Sequence, residues 1–181
     1  MFKYICIFIF FFNINAYSDN KKNIINNLKN TRNFNFNFEQ NINEKIEKGN
    51  CIIEYPRKIY CEYAGKNDKI LVSNGKSLVI KTKVGYYRYP LKKTPLNLIL
   101  DKKFLINKIN TLEERIVNDS FINYTIKEND QEINIFFNNK TLNLIGWQTK
   151  DIYQNLTITF ISSVKRNEVF DKNIFKIPIP N

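Results

Sequence analysis

N-F-N-F-N-F-E-Q, residues 33–40, puts three phenylalanines on one side of an extended chain and asparagine or glutamate on the other. Side chains alternate between the faces of a β-strand, so Phe34, Phe36 and Phe38 share one face while Asn35, Asn37 and Glu39 turn toward water. Two readings of the aromatic face stand side by side. It covers an ordinary core, or it lines a cavity.

The surroundings of this stretch are strand-rich. From Gly49 onward come N-C-I-I-E-Y (50–55), the turn-like P-R-K, I-Y-C-E-Y (59–63), K-I-L-V-S (69–73) and S-L-V-I (77–80). Asn74-Gly75 joins the last two, and both residues tolerate positive φ, which marks a tight hairpin. After G-Y-Y-R-Y-P-L (85–91) comes T-P-L-N-L-I-L (94–100), where Pro95 suits a first helical turn and Leu96, Ile99 and Leu100 share a face. Residues 101–117 read either as an extension of that helix or as a second short one. Strands resume with F-I-N-Y-T-I-K (121–127), E-I-N-I-F-F (132–137), T-L-N-L-I-G-W-Q-T (141–149) and N-L-T-I-T-F-I-S-S-V (155–164). Upstream, residues 19–32 carry Ile24, Ile25 and Leu28 at helical spacing, with Asp19 or a nearby asparagine to cap the start. So many neighbouring short strands imply one large, strongly curved antiparallel sheet, and the few helical pieces cannot cover both its faces. Such a sheet must close, sandwich, or wrap around something.

The amino end reads as a secretory signal peptide over residues 1–18. One early lysine precedes the apolar run Y-I-C-I-F-I-F-F-F (4–12), and the small residues Ala16 and Ser18 offer cleavage positions. A membrane span needs roughly 20 apolar residues, about twice this run. Residues 19–181 then form a single domain outside the cytoplasm, and Cys6 leaves with the signal.

The chain holds 28 basic and 17 acidic side chains, a net charge of +11. The surplus is spread in pairs such as Lys21-Lys22, Lys92-Lys93 and Lys102-Lys103 and not gathered in blocks. Export and the lack of any RNA-binding signature argue against nucleic acid, leaving weak attraction to anionic membrane surfaces or plain solubility as the meaning of the charge.

There is no histidine, which removes the usual acid–base and metal-ligand residue. Cys51 and Cys61 lack metal-ligand spacing, and no feature places two carboxylates, among them Asp68, Glu113 and Glu114, around a common substrate. The expectation is a protein that is not an enzyme and uses no cofactor or metal. If the turn after Tyr55 centres on Pro56, Cys51 and Cys61 are directly opposed on one face, where an oxidising compartment would bond them; two small buried thiols are the other reading.

Taken in order, G-N-C-I-I-E-Y-P-R-K-I-Y-C-E-Y (49–63), I-L-V-S-N-G-K-S-L-V-I (70–80), Y-P-L-K-K-T-P-L-N-L-I-L (89–100) and N-E-V-F-D-K-N-I-F-K-I-P (167–178) resemble the periplasmic outer-membrane lipoprotein carriers, the LolA family. F-E-Q (38–40) and the tail pattern of Asn167, Asp171, Phe175 and Pro178 belong to the same likeness, which covers essentially the whole of residues 19–181. The resemblance implies a mainly β fold with short helices (α+β): a half-open, incomplete antiparallel β-barrel whose apolar concave face is covered by a helical lid. It implies a monomeric periplasmic carrier without cofactor. Such a carrier takes triacylated lipoprotein cargo from an inner-membrane ATP-driven release complex and passes it to an outer-membrane acceptor or receptor. On that reading the acyl-chain cavity candidates are Phe34, Phe36, Phe38, Ile53, Ile59, Leu78, Ile80, Leu96, Ile99 and Leu100. One position departs. The residue before the first hairpin's proline, commonly an arginine hydrogen-bonded to the lid, is Tyr55, which becomes the lid-control candidate with a single hydroxyl to offer. Arg57 is close in sequence, but strand alternation and the turn argue against its substituting. A related carrier of another lipid or glycolipid, and a structural periplasmic protein with a filled core, are the alternatives.

Overall fold

The aromatic alternation at residues 33–42 makes the middle strand of the molecule. In the computed structural model, which describes residues 17–129, 131–150 and 154–180, β1 (Asn33–Ile42) pairs on one side with β2 (Lys45–Glu54) and on the other with β11 (Leu156–Arg166). The signal peptide expected over residues 1–18 lies outside the described residues, save for its last two.

From β2 the sheet continues through β3 (Lys58–Tyr63), β4 (Ile70–Asn74), β5 (Ser77–Lys81) and β6 (Tyr86–Pro90). From β11 it continues through β10 (Leu144–Lys150), β9 (Gln131–Asn138), β8 (Phe121–Glu128) and β7 (Arg115–Val117). Among the described residues the eleven strands are all antiparallel and the edge strands β6 and β7 do not pair with one another, so the sheet curls without closing. A bulge in β1 between Asn35 and Asn37 and a register shift in β10 between Leu144 and Gly146 supply the irregularities that bend a wide sheet.

Three helices fill the concave side. α1 (Tyr17–Lys29) buries Ile24, Ile25 and Leu28. α2 (Leu96–Leu100) buries Leu98, Ile99 and Leu100, and α3 (Lys102–Thr111) buries Leu105 and Ile109. These side chains join the inward residues of the sheet in one core. α3 resolves the ambiguity over residues 101–117: Asp101 accepts from Phe104 N at 3.1 Å and starts a separate helix, which ends before β7. Lys102 Nζ donates to the carbonyls of Lys29 (3.2 Å) and Thr31 (2.8 Å), so the start of α3 caps the end of α1.

The tail motif is structural. Asn167 accepts from Arg32 N (2.7 Å) and donates to Asn30 O (3.0 Å), tying the α1–β1 junction. Asp171 accepts from Asn173 N at 2.9 Å to start a 3-10 turn over Lys172–Phe175, whose Phe175 is buried.

Candidate functional site

The concave wall is built from cross-strand rows. Register places Phe36, Cys51, Cys61, Leu71, Ile80 and Tyr87 side by side on six successive strands from β1 to β6. A neighbouring row runs Phe34, Ile53, Ile59, Ser73, Leu78, Tyr89. Directly opposed residues face the same way, so each row is one continuous strip of wall. In the third row, Phe38 and Tyr63 meet edge to face over Gly49, with ring centroids 4.9 Å apart. A Cβ at Gly49 would sit 2.7 Å from the Phe38 ring and 2.0 Å from Glu62 O, so only glycine permits that contact.

The two ends of these rows differ. At the β1 end, Phe36 is 1% exposed and meets Trp147 of β10 edge to face at 6.2 Å. At the β6 end, Tyr87 is 52% exposed. There the wall opens into a groove of about 320 Å³ lined by Leu71, Leu78, Ile80, Tyr87, Tyr89 and Leu96, with Tyr63 and Trp147 at its inner side and Gln40, Thr149, Thr157, Lys69 and Lys150 among its polar members. A further pocket of about 40 Å³ continues inward, sharing Gln40, Tyr63, Leu71, Leu96 and Trp147 with the groove and reaching Phe38, Ile59, Cys51 and Cys61.

The ten candidates therefore fall into three places. Leu78, Ile80 and Leu96 line the groove, and Phe38 and Ile59, again with Leu96, line the inner pocket. Phe34, Phe36, Ile53, Ile99 and Leu100 line neither and are packed in the core where α1, α2 and α3 lie on the sheet. Sequence reasoning passed over Tyr63, Leu71, Tyr87, Tyr89 and Trp147. The alternation of Y-Y-R-Y-P and the single tryptophan on a strand were the available signals.

Cys51 and Cys61 are joined, with sulfurs 2.02 Å apart, and the bond forms part of the inner pocket. It lies midway along the row that begins at Phe36, so the hairpin of β2 and β3 is fastened beneath the lid.

The junction between α2 and α3 is held by Arg57. Its Nη2 and Nε donate to Asp101 Oδ2 at 2.5 and 3.2 Å, and its backbone N–H donates to Leu100 O at 2.9 Å. Asp101 is thus both the cap of α3 and the acceptor of this contact. The expectation that strand alternation and the turn make Arg57 a poor substitute for an arginine before the proline did not foresee this contact. The turn takes Arg57 to a φ of 65°, out of the alternation on which that expectation rested. Ser73 Oγ donates to Arg57 O at 3.0 Å and steadies the turn from β4. Tyr55 faces inward. Its ring meets Phe34 edge to face at 6.0 Å, burial drives its phenol pKa far up, and its hydroxyl has no hydrogen-bond partner. The one hydroxyl contact open to Tyr55 is not made.

At the groove's rim Lys69 donates to Glu47 Oε2 at 2.5 Å and lies 4.0 Å from the Tyr63 ring centroid. Burial pushes the Glu47 carboxyl up, but Lys69 and Lys45 outweigh it and hold it below the ordinary range. The described residues contain no cluster of three or more metal-ligating side chains and no helix long and apolar enough to cross a membrane. The arrangement offers apolar shelter with a polar rim.

No curated protein matches the sequence. Among solved structures, an uncharacterized conserved protein from Thermus thermophilus superposes with a TM-score of 0.52 at 8% identity, over 89% of this chain and 94% of that one. MucB gives 0.50 at 9%, over 91% of this chain and 64% of that one. A LolA superfamily protein from Nitrosomonas europaea gives 0.44 at 8%, over 86% and 97%. The family profile described as outer membrane lipoprotein carrier protein LolA matches residues 29–178, from the end of α1 through the sheet, the Arg57 turn and α3 to the proline of the tail motif. A match over that span, on a chain folded as an open antiparallel barrel with helices on its concave face, shows that the protein belongs to the LolA family.

Proposed function

We propose that this protein is a periplasmic carrier that shields the acyl chains of lipoproteins released from the inner membrane and delivers them to the outer membrane. Residues 19–181 act as one carrier domain after removal of the signal, as a monomer. The partners are triacylated cargo, an inner-membrane ATP-driven release complex and an outer-membrane acceptor, and no reaction is catalysed. The observation that carries this reading is the continuity of the wall: the rows that line the open groove run on, broken only by Ser73, to Phe34 and Phe36 in the core shared with the helices.

The energetics require such shelter. Burying a methylene is worth roughly 0.8 kcal/mol, so one acyl chain of about 15 methylenes faces a transfer cost near 12 kcal/mol in water. Three chains, about 45 carbons, exceed the drug-sized ligands that pockets of ~300–1,000 Å³ accommodate. The groove of about 320 Å³ is therefore an entrance, and full loading needs α2 and α3 to lift from the β1–β3 wall. The Arg57–Asp101 pair sits at the α2–α3 junction, where it favours the closed, empty state and so lowers the cost of giving cargo up.

The test is to load the purified protein with an acylated lipoprotein and ask whether acceptor membranes collect it. Retention of cargo in solution followed by transfer is expected. A protein that co-purifies with free lipid or glycolipid and rejects lipoprotein would belong to the alternative carrier class, and one that takes up no amphiphile would be the filled structural protein.

A further inference from the structure

We propose that the outward face of the helical lid is a docking surface for anionic phospholipid bilayers. The basic surplus is distributed unevenly. On the strands most lysines are matched by acids, Lys81 and Lys150 excepted: Lys48 with Glu39 (2.7 Å), Lys127 with Glu132 (3.3 Å) and Lys165 with Glu168 (3.7 Å). On the lid, among the described side chains, Lys108 alone is matched in this way, with Glu128 at 2.7 Å. Among the described side chains, the exposed positions of α1 and α3 are lysine, asparagine and threonine alone. Lys22, Lys29 and Lys103, with Arg32 just after α1, are exposed and have no ion-pair partner among the described residues. The one carboxylate between α2 and α3, Asp101, is already engaged by Arg57.

The chemistry of that face fits a bilayer better than a protein. A protein partner needs a buried centre of aromatic or aliphatic anchors, and the exposed rows of α1 and α3 carry no apolar residue. Diffuse cations on a convex helical surface suit the negative potential of anionic headgroups, which acts on each lysine without demanding a fixed geometry. The helices concerned pack their other face against the concave wall, so docking sets the helical side of the molecule against the membrane. This goes beyond cargo binding, and because the test below uses empty carrier it can fail while the carrier reading stands.

The experiment is flotation of the empty protein with vesicles of phosphatidylcholine alone or mixed with phosphatidylglycerol, at low and high salt. Two triple variants of equal net charge are compared: Lys22→Gln/Lys29→Gln/Lys103→Gln on the lid, and Lys66→Gln/Lys76→Gln/Lys176→Gln at exposed positions elsewhere. Binding only to the anionic vesicles, lost in salt, is expected, with the lid variant weaker by roughly 100-fold. The second variant should stay within about threefold of the parent. Equal losses from both variants would reduce the effect to net charge and overturn the proposal. So would failure of the parent protein to bind anionic vesicles at low salt, including the case in which its lid binds only an acidic protein.

Discussion

Phe36 and Tyr87 stand at opposite ends of one cross-strand row, yet the first is sealed against Trp147 and the second is half open to solvent. The strands between them have the same alternation and the same inward apolar face. What differs is the packing: Phe34, Phe36, Ile53 and Ile59 lie in one core with residues of α1, α2 and α3, while Ile80, Tyr87 and Tyr89 border the open groove with Leu96. The wall is one largely apolar surface, part of it packed in the core with the helices and part of it open at the groove. Apolar residue type alone therefore does not say which part of it serves as core and which as site.

The largest effect that can break this comparison comes from placing the same charge at both ends. Phe36→Asp puts an unpaired carboxylate where nothing can solvate it and removes a ring, for a loss above about 4 kcal/mol that should unfold the protein. Ile80→Asp, at the groove, should leave a folded protein that retains less cargo. Circular dichroism melts and cargo co-purification read the two, and equal behaviour would erase the distinction between core and site.

Next is the bond that ties the middle of the row. Cys51→Ala/Cys61→Ala frees a closed loop of about ten residues and should cost roughly 2–3 kcal/mol in denaturant unfolding, with cargo acceptance retained. A double variant as stable as the parent under non-reducing conditions would contradict a stabilising role for the bond.

The α2–α3 junction should respond more in kinetics than in stability. The Arg57–Asp101 pair is partly exposed, so Arg57→Ala should cost only about 1 kcal/mol after solvent screening. Loosening the closed state should nevertheless speed hydrogen exchange at Leu105 and Ile109 and slow timed transfer of cargo to acceptor membranes several-fold. Normal transfer with faster exchange would separate the lid from release.

The smallest effect has the opposite sign. Tyr55→Phe removes a buried hydroxyl that has no partner, so it should be neutral or stabilising by up to about 1 kcal/mol and leave transfer unchanged. Slower transfer from this variant would restore Tyr55 to lid control.

These contrasts also mark what was legible in the sequence. Strand after strand could be read from period-two alternation, the Asn74-Gly75 hairpin from turn chemistry, and the opposition of Cys51 to Cys61 from centring a turn on Pro56, because each is a local relation. The β1–β2 turn was not legible: Asn43 and Glu44 take φ of 47° and 69° without a glycine to announce it, so the start of β2 at Lys45 was missed. The contact of Arg57 with Asp101 was not legible for a related reason, since its positive φ breaks the alternation used to place it. The division of Phe36 from Ile80 depends on where helices from residues 17–29 and 96–111 come to rest, a tertiary relation that no local spacing encodes.

The central claim, that acyl chains occupy the space between the groove and the lid-covered wall, can be tested at one side chain. Trp147 is the only tryptophan in the chain, and it borders the groove, the inner pocket and Phe36 at once. Its fluorescence can be followed while the protein is loaded with a lipoprotein whose acyl chains carry bromine, a contact quencher, and compared with loading by the unbrominated cargo. The account predicts strong quenching by the brominated chains that is reversed on transfer to acceptor membranes. Stable cargo binding with Trp147 emission unchanged would contradict it.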